Sequence, residues 1–276
     1  MISLRRKTYN LFHPKIGEIW CLHRVLPERS AFKCNRELEI TPDYLESMIE
    51  RKRGHGFEFV DLDTIVAAAN GSETPEKQLV NISFDDGFED VYTNAYPVLK
   101  RHHIPFTLYV TTDMPDGKAD LWWLQLERMA GGDADWFNQV SQHVYSCQGD
   151  FGIAMHSITA SKTDHSLCQH SLTWDQIRLM VSEGLCTVGS HGVSHTALSL
   201  LPEKRAFREL TVSKKRLEEK LGVEINHFSY PHSFFSKESN QLVFQAGYQT
   251  AVIAYGGWIR RQKKQSFFSR NYIVQP

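Results

Sequence analysis

The sequence predicts an α/β fold in which a largely parallel sheet closes into a barrel or partial barrel with helices outside. Short apolar, partly β-branched segments alternate with amphipathic helical segments along the chain, which is typical of a parallel sheet. We count about seven such strand–helix units, which favours a barrel over two separate domains. A length of 276 residues is ample for one buried core, so we expect a single domain over residues 1–276.

In the first half of the chain, local start and stop signals place each element. Thr41 is a suitable helix cap, Pro42 fits the first helical position, and Gly54 ends that helix. The segment 72–78 is polar and contains a proline, so we expect a loop there. The predicted elements, in order, are a strand in 16–25 that ends at His23, a helix from Thr41, a strand at 57–60, a helix at 62–69, a strand at 79–84 and a helix that closes near His102.

In the second half, the alternation continues after one interruption. Residues 113–172 are rich in Asp, Gly, Gln and His and contain three tryptophans, so we interpret them as an insertion of one or two helices between strands. The predicted elements, in order, are a strand at 105–112, the insertion, a helix from Thr173, a strand at 185–189, a helix at 202–221, a strand at 225–230, a helix from Ser236, a strand at 248–255 and a last strand at 267–274.

Charge and cysteine usage restrict the function classes. The formal net charge is −1, which gives no reason to expect a nucleic-acid partner, and the basic clusters at 5–7 and 260–264 read as solvated surface. The five cysteines are odd in number and contain no C-x-x-C pair, which indicates reduced thiols rather than a disulfide framework. No apolar run suits a signal peptide or a transmembrane span, so we expect a cytoplasmic protein. Its oligomeric state is left open.

Two adjacent carboxylates end the most apolar strand. The segment 79–89, LVNISFDDGFE, places Asp85 and Asp86 directly before Gly87, which breaks the strand pattern. The carboxyl ends of parallel strands are where α/β folds build their active sites. The alternative is structural, because Asp is also favoured at the start of a helix.

A second candidate site lies about a hundred residues downstream, in the segment SHGVSH. His191 and His195 are four residues apart, and on a helical turn that spacing puts both imidazoles on one side. A carboxylate from Asp85 or Asp86 would complete a set of two histidines and one acid for a divalent cation. In a chain with 13 histidines the motif alone is weak, and surface or capping roles are the alternative. Two such motifs after strands of one barrel are stronger together.

The segments SFDDG, SHGVSH and FSYPHS resemble the three motifs of the NodB-type polysaccharide deacetylases, carbohydrate esterases with a distorted (β/α)7-type barrel. LHRV near residue 23, LWWLQLERM and SRNYIV are similar to segments of one branch of that family. The resemblance spans roughly residues 18–276. It implies that Asp85 is the general base and that Asp86, His191 and His195 bind a metal, most simply zinc, with cobalt, nickel or manganese as alternatives.

The third motif and the tryptophans supply further candidates. By the resemblance, the backbone N–H of His232 would hold the oxyanion, and Tyr230 and Pro231 would lie near the substrate. The paired Trp122 and Trp123 have two interpretations. Packing of the insertion on the barrel is the one we favour, and a sugar-stacking rim, with Trp122 as its candidate residue, is the other.

The function implied is a metal-dependent hydrolase that removes N-acetyl groups from an N-acetylated sugar or polysaccharide precursor and releases acetate. A metal-dependent amidase acting on a non-sugar amide is one alternative. A catalytically weak carbohydrate-binding relative is the other, because two groups of the family pattern are missing here.

The departures from the family pattern lead to two further expectations. Gly192 stands where Ser or Thr is usual, Ser229 where the best-known members carry an arginine that orients the base, and no histidine follows Tyr248 to act as general acid. His23 ends a strand on the expected rim and would protonate the leaving amine or bind substrate, unless it is a buried structural residue. Arg270 interrupts an apolar strand pattern, so we expect it to pair with Asp85, or with a carboxylate beside it, rather than face solvent.

Overall fold

A ten-stranded sheet organises the part of the chain that the structure describes. The structure is a computed structural model and describes residues 13–119, 121–147, 154 and 170–276. The described strands are β1 (Lys15–Leu22), β2 (Arg24–Val25), β3 (Glu39–Ile40), β4 (Glu58–Phe59), β5 (Leu79–Phe84), β6 (Phe106–Val110), β7 (Cys186–Ser190), β8 (His227–Ser229), β9 (Thr250–Ile253), β10 (Ile259–Arg260), β11 (Phe267–Ser269) and β12 (Asn271–Tyr272). Of these, β2 and β3 form a separate two-stranded sheet.

Helices follow most of these strands. The described helices are α1 (Lys33–Arg36), α2 (Pro42–Gly54), α3 (Leu62–Asn70), α4 (Tyr96–Arg101), α5 (Trp122–Ala130), α6 (Ala134–Ser146), α7 (Trp174–Ser182), α8 (Glu203–Leu221) and α9 (Lys237–Gln245). A π-helical turn, Val91–Ala95, leads into α4. The predicted caps are confirmed, since the side chains of Thr41, Thr173 and Ser236 each accept a backbone N–H in the first turn of α2, α7 and α9.

The sheet curls into a nearly closed barrel. Its order is β10-β1-β5-β6-β7-β8-β9-β11, and the neighbours from β1 through β11 pair in parallel. The final segment closes the wall, because β11 pairs with β9 while β12 pairs with β1. Arg270 is the residue between these two strands. The predicted α/β barrel is therefore confirmed.

Most of the large buried side chains in the described residues are apolar. Phe84 of β5, Phe106 and Leu108 of β6 and Phe228 of β8 are fully buried in the largest core cluster. Each such side chain stabilises the fold by roughly 1.5–3 kcal/mol. A second cluster lies under the insertion, around Leu126 of α5.

Four sequence expectations need correction. The first strand ends at Leu22, so His23 lies in the break between β1 and β2. The last strand is interrupted at Arg270. His191 and His195 lie on an irregular loop rather than on a helical turn, because Gly192 and His195 both have positive φ (82° and 59°). The helical pattern of residues 202–221 also predicts that Phe207 points inward, whereas it is 37% exposed on α8.

Some expectations fall partly or wholly outside the described residues. The insertion contains the two helices α5 and α6, but residues 120, 148–153 and 155–169 within it are not described. Cys168 and the basic cluster at 5–7 also lie outside, while the four described cysteines are all free thiols. None of the helices in the described ranges is both long enough and apolar enough to span a bilayer. The division into domains stays a prediction.

Candidate active site

Asp85 and Asp86 both face one cavity at the carboxyl end of β5. Neighbouring side chains of a strand normally point to opposite faces of the sheet. Asp85 still continues the strand, since its N–H donates to the carbonyl of Leu22 (2.9 Å), whereas Asp86 has left-handed backbone geometry (φ 74°). Gly87, also at positive φ (110°), completes the turn. This turn brings two adjacent, buried carboxylates to the same side.

Backbone strain is concentrated at this cavity. Six described residues other than glycine have positive φ, and four of them, Asp86, His195, His232 and Ser233, line it. Left-handed geometry costs such residues roughly 1–2 kcal/mol each. Clustering of strained residues is a common sign of a functional site, because the surrounding structure must hold them in place.

Glu209 of α8 fixes the loop that carries the two histidines. Its carboxylate accepts the backbone N–H groups of Val193 (2.7 Å) and Ser194 (3.0 Å) and the hydroxyl of Ser194 (3.0 Å). A Cβ added at Gly192 would lie 3.3 Å from Glu209 Oε2 at a φ of 82°. The backbone geometry of this loop and its contact with Glu209 therefore favour glycine at position 192.

Asp86, His191 and His195 form a donor set for one cation. Oδ1 of Asp86 lies 3.4 Å from Nε2 of His191 and 3.1 Å from Nε2 of His195. That oxygen is buried and has no hydrogen-bond partner among the described residues. Ligands held at about 2.0–2.1 Å around a tetrahedral zinc ion lie about 3.3 Å apart, so the observed spacing fits such an ion. The chemistry of the set, two imidazoles and one carboxylate, fits as well.

The orientation of His191 is fixed by its other nitrogen. Nδ1 donates to the backbone carbonyl of Ser229 at 2.8 Å, which leaves Nε2 of the neutral ring with a free lone pair towards Asp86. Burial raises the pKa of Asp86, but the imidazoles of His195 and His191 outweigh it and hold that pKa well below 3.8. Asp86 is therefore ionised, as a ligand must be.

Asp85 is held by Arg270. Both terminal nitrogens of the guanidinium donate to the carboxylate, each at 2.6 Å, and Arg270 is only 1% exposed. Ser229 completes the network, since its hydroxyl donates to Asp85 (3.1 Å) and accepts from Arg270 (2.8 Å). The sequence-predicted pairing of Arg270 with Asp85 is present. Burial raises the pKa of Asp85, but Arg270 outweighs it and lowers that pKa to about 2.

His23 lies beside Asp85 on the same rim. One donor atom each from Cys21, His23 and Asp85 lies within 4.8 Å of the other two, and the His23 ring packs against Tyr272 (centroids 5.4 Å apart). Burial lowers the pKa of His23 below 6.5, although both neighbouring aspartates oppose this. The neutral ring is therefore the favoured form at pH 7.

His232 occupies the opposite side of the cavity. Its ring centroid lies 4.5 Å from that of His195, and its Nδ1 lies 3.2 Å from the hydroxyl of Tyr145 in α6. At the short turn Pro231–Ser233, the backbone N–H of Ser233 donates to the carbonyl of Tyr230 and that of Phe234 to the carbonyl of Pro231. The backbone hydrogen bonds of the described chain include none from the N–H of His232.

The cavity that these residues share has a volume of about 300 Å³. Trp123 lines it and packs on His195 (centroids 4.7 Å apart), while Trp122, the residue selected from the sequence, is not among the described lining residues. Tyr230 lines it, but its hydroxyl donates to Asn240 Oδ1 (3.2 Å). Pro231 is buried in its turn and is likewise not among the described lining residues.

Sequence reasoning missed several residues of this site. Cys21, Trp123, Tyr255 and Tyr272 line the cavity, and Glu209 supports it from behind. Tyr272 follows directly from the barrel closure, since it belongs to the strand beside β1. Glu209 carried no local signal, because its role depends on how α8 packs against a loop 15 residues earlier.

The family described as polysaccharide deacetylase matches residues 72–251 of this chain. The fold is shared with the Streptococcus pyogenes deacetylase PplD, solved in complex with acetate, at a TM-score of 0.69 and 20% identity over 95% of this chain and 93% of that one. It is also shared with IcaB from Ammonifex degensii, at a TM-score of 0.68 and 22% identity over 94% and 92% of the two chains.

Two curated relatives match parts of the chain. YxkH of Bacillus subtilis (strain 168) is 23% identical over 189 residues, which cover 68% of this chain and 49% of YxkH. A poly-β-1,6-N-acetyl-D-glucosamine N-deacetylase of Staphylococcus epidermidis is 32% identical over 78 residues, 28% of this chain and 27% of that protein. The chain thus spans about half the length, or less, of these curated relatives.

Proposed function

The chain belongs to the polysaccharide deacetylase family, and from that premise we propose that it hydrolyses N-acetyl groups of an N-acetylated sugar or polysaccharide. The name of the staphylococcal relative supports N-acetylglucosamine-containing carbohydrate as the substrate class. The observation that carries the proposal is the division between two adjacent acids. Asp86 faces two imidazoles, while Asp85 is held by a guanidinium, one residue away and in the same cavity.

Asp86, His191 and His195 are the residues that would hold a divalent cation, with zinc as our first choice and cobalt, nickel or manganese as alternatives. When bound, such a cation supplies Lewis acidity, which polarises the acetamide carbonyl and lowers the pKa of water.

Asp85 acts as the general base. Its carboxylate is ionised at pH 7 and takes a proton from the attacking water, whose oxygen forms the new bond to the acetyl carbon. When the C–N bond breaks, Asp85 returns that proton to the leaving nitrogen, and the base is regenerated. The products are acetate and an amine on the sugar. Arg270 keeps the carboxylate in one orientation through both proton transfers.

Backbone and side-chain groups around the acetyl group complete the site. The N–H of His232 donates to the developing oxyanion. The strained turn that contains His232 holds this N–H in position before the reaction begins. His23, neutral at pH 7, hydrogen-bonds the substrate rather than donating a proton. Trp123 and Tyr272 form apolar walls, which keep bulk solvent away from the acetyl group while leaving room for the one attacking water.

Acetate release from N-acetylglucosamine oligomers, measured with and without a chelator, tests the proposal. We expect release that the chelator abolishes and an added divalent ion restores. Release from a simple acetylated amine but from no sugar would identify a non-sugar amidase. Binding of oligomers with no release would identify a carbohydrate-binding relative. The cytoplasmic location and the precursor substrate expected from the sequence stay predictions, which fractionation of the native protein tests.

A further inference from the structure

An exposed aromatic ring stands at the mouth of the cavity. Tyr255 lines the cavity and yet is 66% exposed, the largest exposed fraction of any large apolar side chain in the described ranges. An exposed ring in a polar, charged site has no role in core packing. Exposed apolar surface at the edge of a binding cavity usually marks a contact with a ligand.

The ring is fixed before any ligand arrives. The Tyr255 hydroxyl donates to the backbone carbonyl of Ser233 (3.2 Å), and the neighbouring N–H of Ala254 donates to the Ser233 hydroxyl (2.9 Å). On the other side, the N–H of Gly256 donates to the carbonyl of Arg270 (2.8 Å). Because both ends of this short segment are anchored, binding on the ring costs little conformational entropy.

The apolar surface continues from Tyr255 to a second exposed ring. Phe235 is 41% exposed, and its ring centroid lies 6.2 Å from that of Tyr255 and 5.0 Å from that of Phe267. Phe235 is not among the described residues that line the cavity. The two rings therefore form an aromatic platform that begins at the cavity and continues beyond it.

We propose that this platform, Tyr255 and Phe235, binds a second sugar ring, next to the one whose N-acetyl group lies in the cavity. The inference rests on the proposed function and deepens it. A pyranose ring has an apolar C–H face and polar edges, which complements a fixed aromatic face with a polar tip. A cavity of about 300 Å³ suits a single sugar, so a neighbouring sugar must lie outside it. The enzyme would thus prefer oligosaccharides over a single N-acetylated sugar.

Calorimetric titration of the full chain carrying Asp85→Asn, with N-acetylglucosamine and with its β-1,6-linked tetramer, tests the platform. We expect Tyr255→Ala to raise the Kd of the tetramer about tenfold and to change the Kd of the single sugar less than about twofold. Tyr255→Phe keeps the ring and should keep most of the affinity for the tetramer. Trp258→Ala is the matched control, because Trp258 is an exposed ring (37%) on the same segment, stacked on Phe57 instead of at the cavity.

The outcomes separate this inference from the proposed function. If the tetramer binds unchanged to Tyr255→Ala, the platform is refuted while the proposed function stands. Equal weakening of both ligands would show that Tyr255 only supports the cavity, which also refutes the platform. If the Asp85→Asn chain binds neither sugar, and the unsubstituted chain releases no acetate from either, the proposed function fails and the platform with it.

Discussion

The guanidinium of Arg270 donates two hydrogen bonds of 2.6 Å to the carboxylate of Asp85, across the seam where the barrel closes. Arg270 lies between the strand that pairs with β9 and the strand that pairs with β1. Closure of the barrel and orientation of the proposed base thus depend on the same short segment. Ser229, at the position where the family resemblance led us to look for an arginine, takes part in this network as a hydroxyl that contacts both partners.

We expect Arg270→Lys to lower kcat on the order of 100-fold, with a much smaller change in KM. An ammonium group pairs with one carboxylate oxygen at a time, so Asp85 would lose its fixed orientation, and small misplacements cost about that much. Initial rates of acetate release, with circular dichroism as a check of folding, measure the effect. Arg101→Lys is the control, because Arg101 pairs with Glu46 on the surface. A rise in KM as large as the expected fall in kcat, with kcat itself unchanged, would contradict the orienting role.

The two acids should be separable by their effects. Asp86→Ala removes the oxygen that faces both imidazoles, so we expect it to abolish stoichiometric metal binding. Asp85→Asn should retain the metal and lose turnover, since its amide cannot accept a proton. Metal content by atomic spectroscopy and acetate release, measured on the same samples, give both results. Full activity in Asp85→Asn would remove Asp85 from the mechanism.

The sequence predicted the barrel and the positions of both acids and both histidines, because strand ends and short motifs are local signals. It also predicted the arginine, since a charged residue inside an apolar strand needs a partner. It failed where geometry depends on tertiary packing. Trp122 and Trp123 are adjacent in α5, and only the docking of that helix determines that Trp123 lies over His195. The histidine spacing suggested a helical turn, whereas left-handed residues and Glu209 build the loop instead.

Glu209 therefore provides a test of the loop. We expect Glu209→Ala to weaken metal affinity by roughly 10–100-fold, because the groups of Val193 and Ser194 that it holds would lose their acceptor and the loop its shape. Competition with a chromophoric chelator measures that affinity. Glu219→Ala, on the same helix but paired with the exposed Lys215, should leave the metal affinity unchanged. Equal affinities in both variants would show that the loop keeps its shape without Glu209.

The stability of the metal-free protein should depend on pH through His23. Burial lowers the pKa of His23 in the folded state below its ordinary value of 6.5, so between those two values the unfolded chain binds more protons than the folded one. The free energy of unfolding must then fall as the pH is lowered through 6.5. Above that pH, His23 no longer makes the free energy of unfolding depend on pH. We expect urea unfolding of chelator-treated protein to show a smaller loss of stability between pH 7.5 and pH 5.5 for His23→Gln than for the parent chain, since glutamine does not titrate. An unchanged loss of stability in His23→Gln would mean that folding does not lower the pKa of His23, and a steeper loss would mean that folding raises it. Either result would remove the argument that His23 is a neutral hydrogen-bonding group beside Asp85.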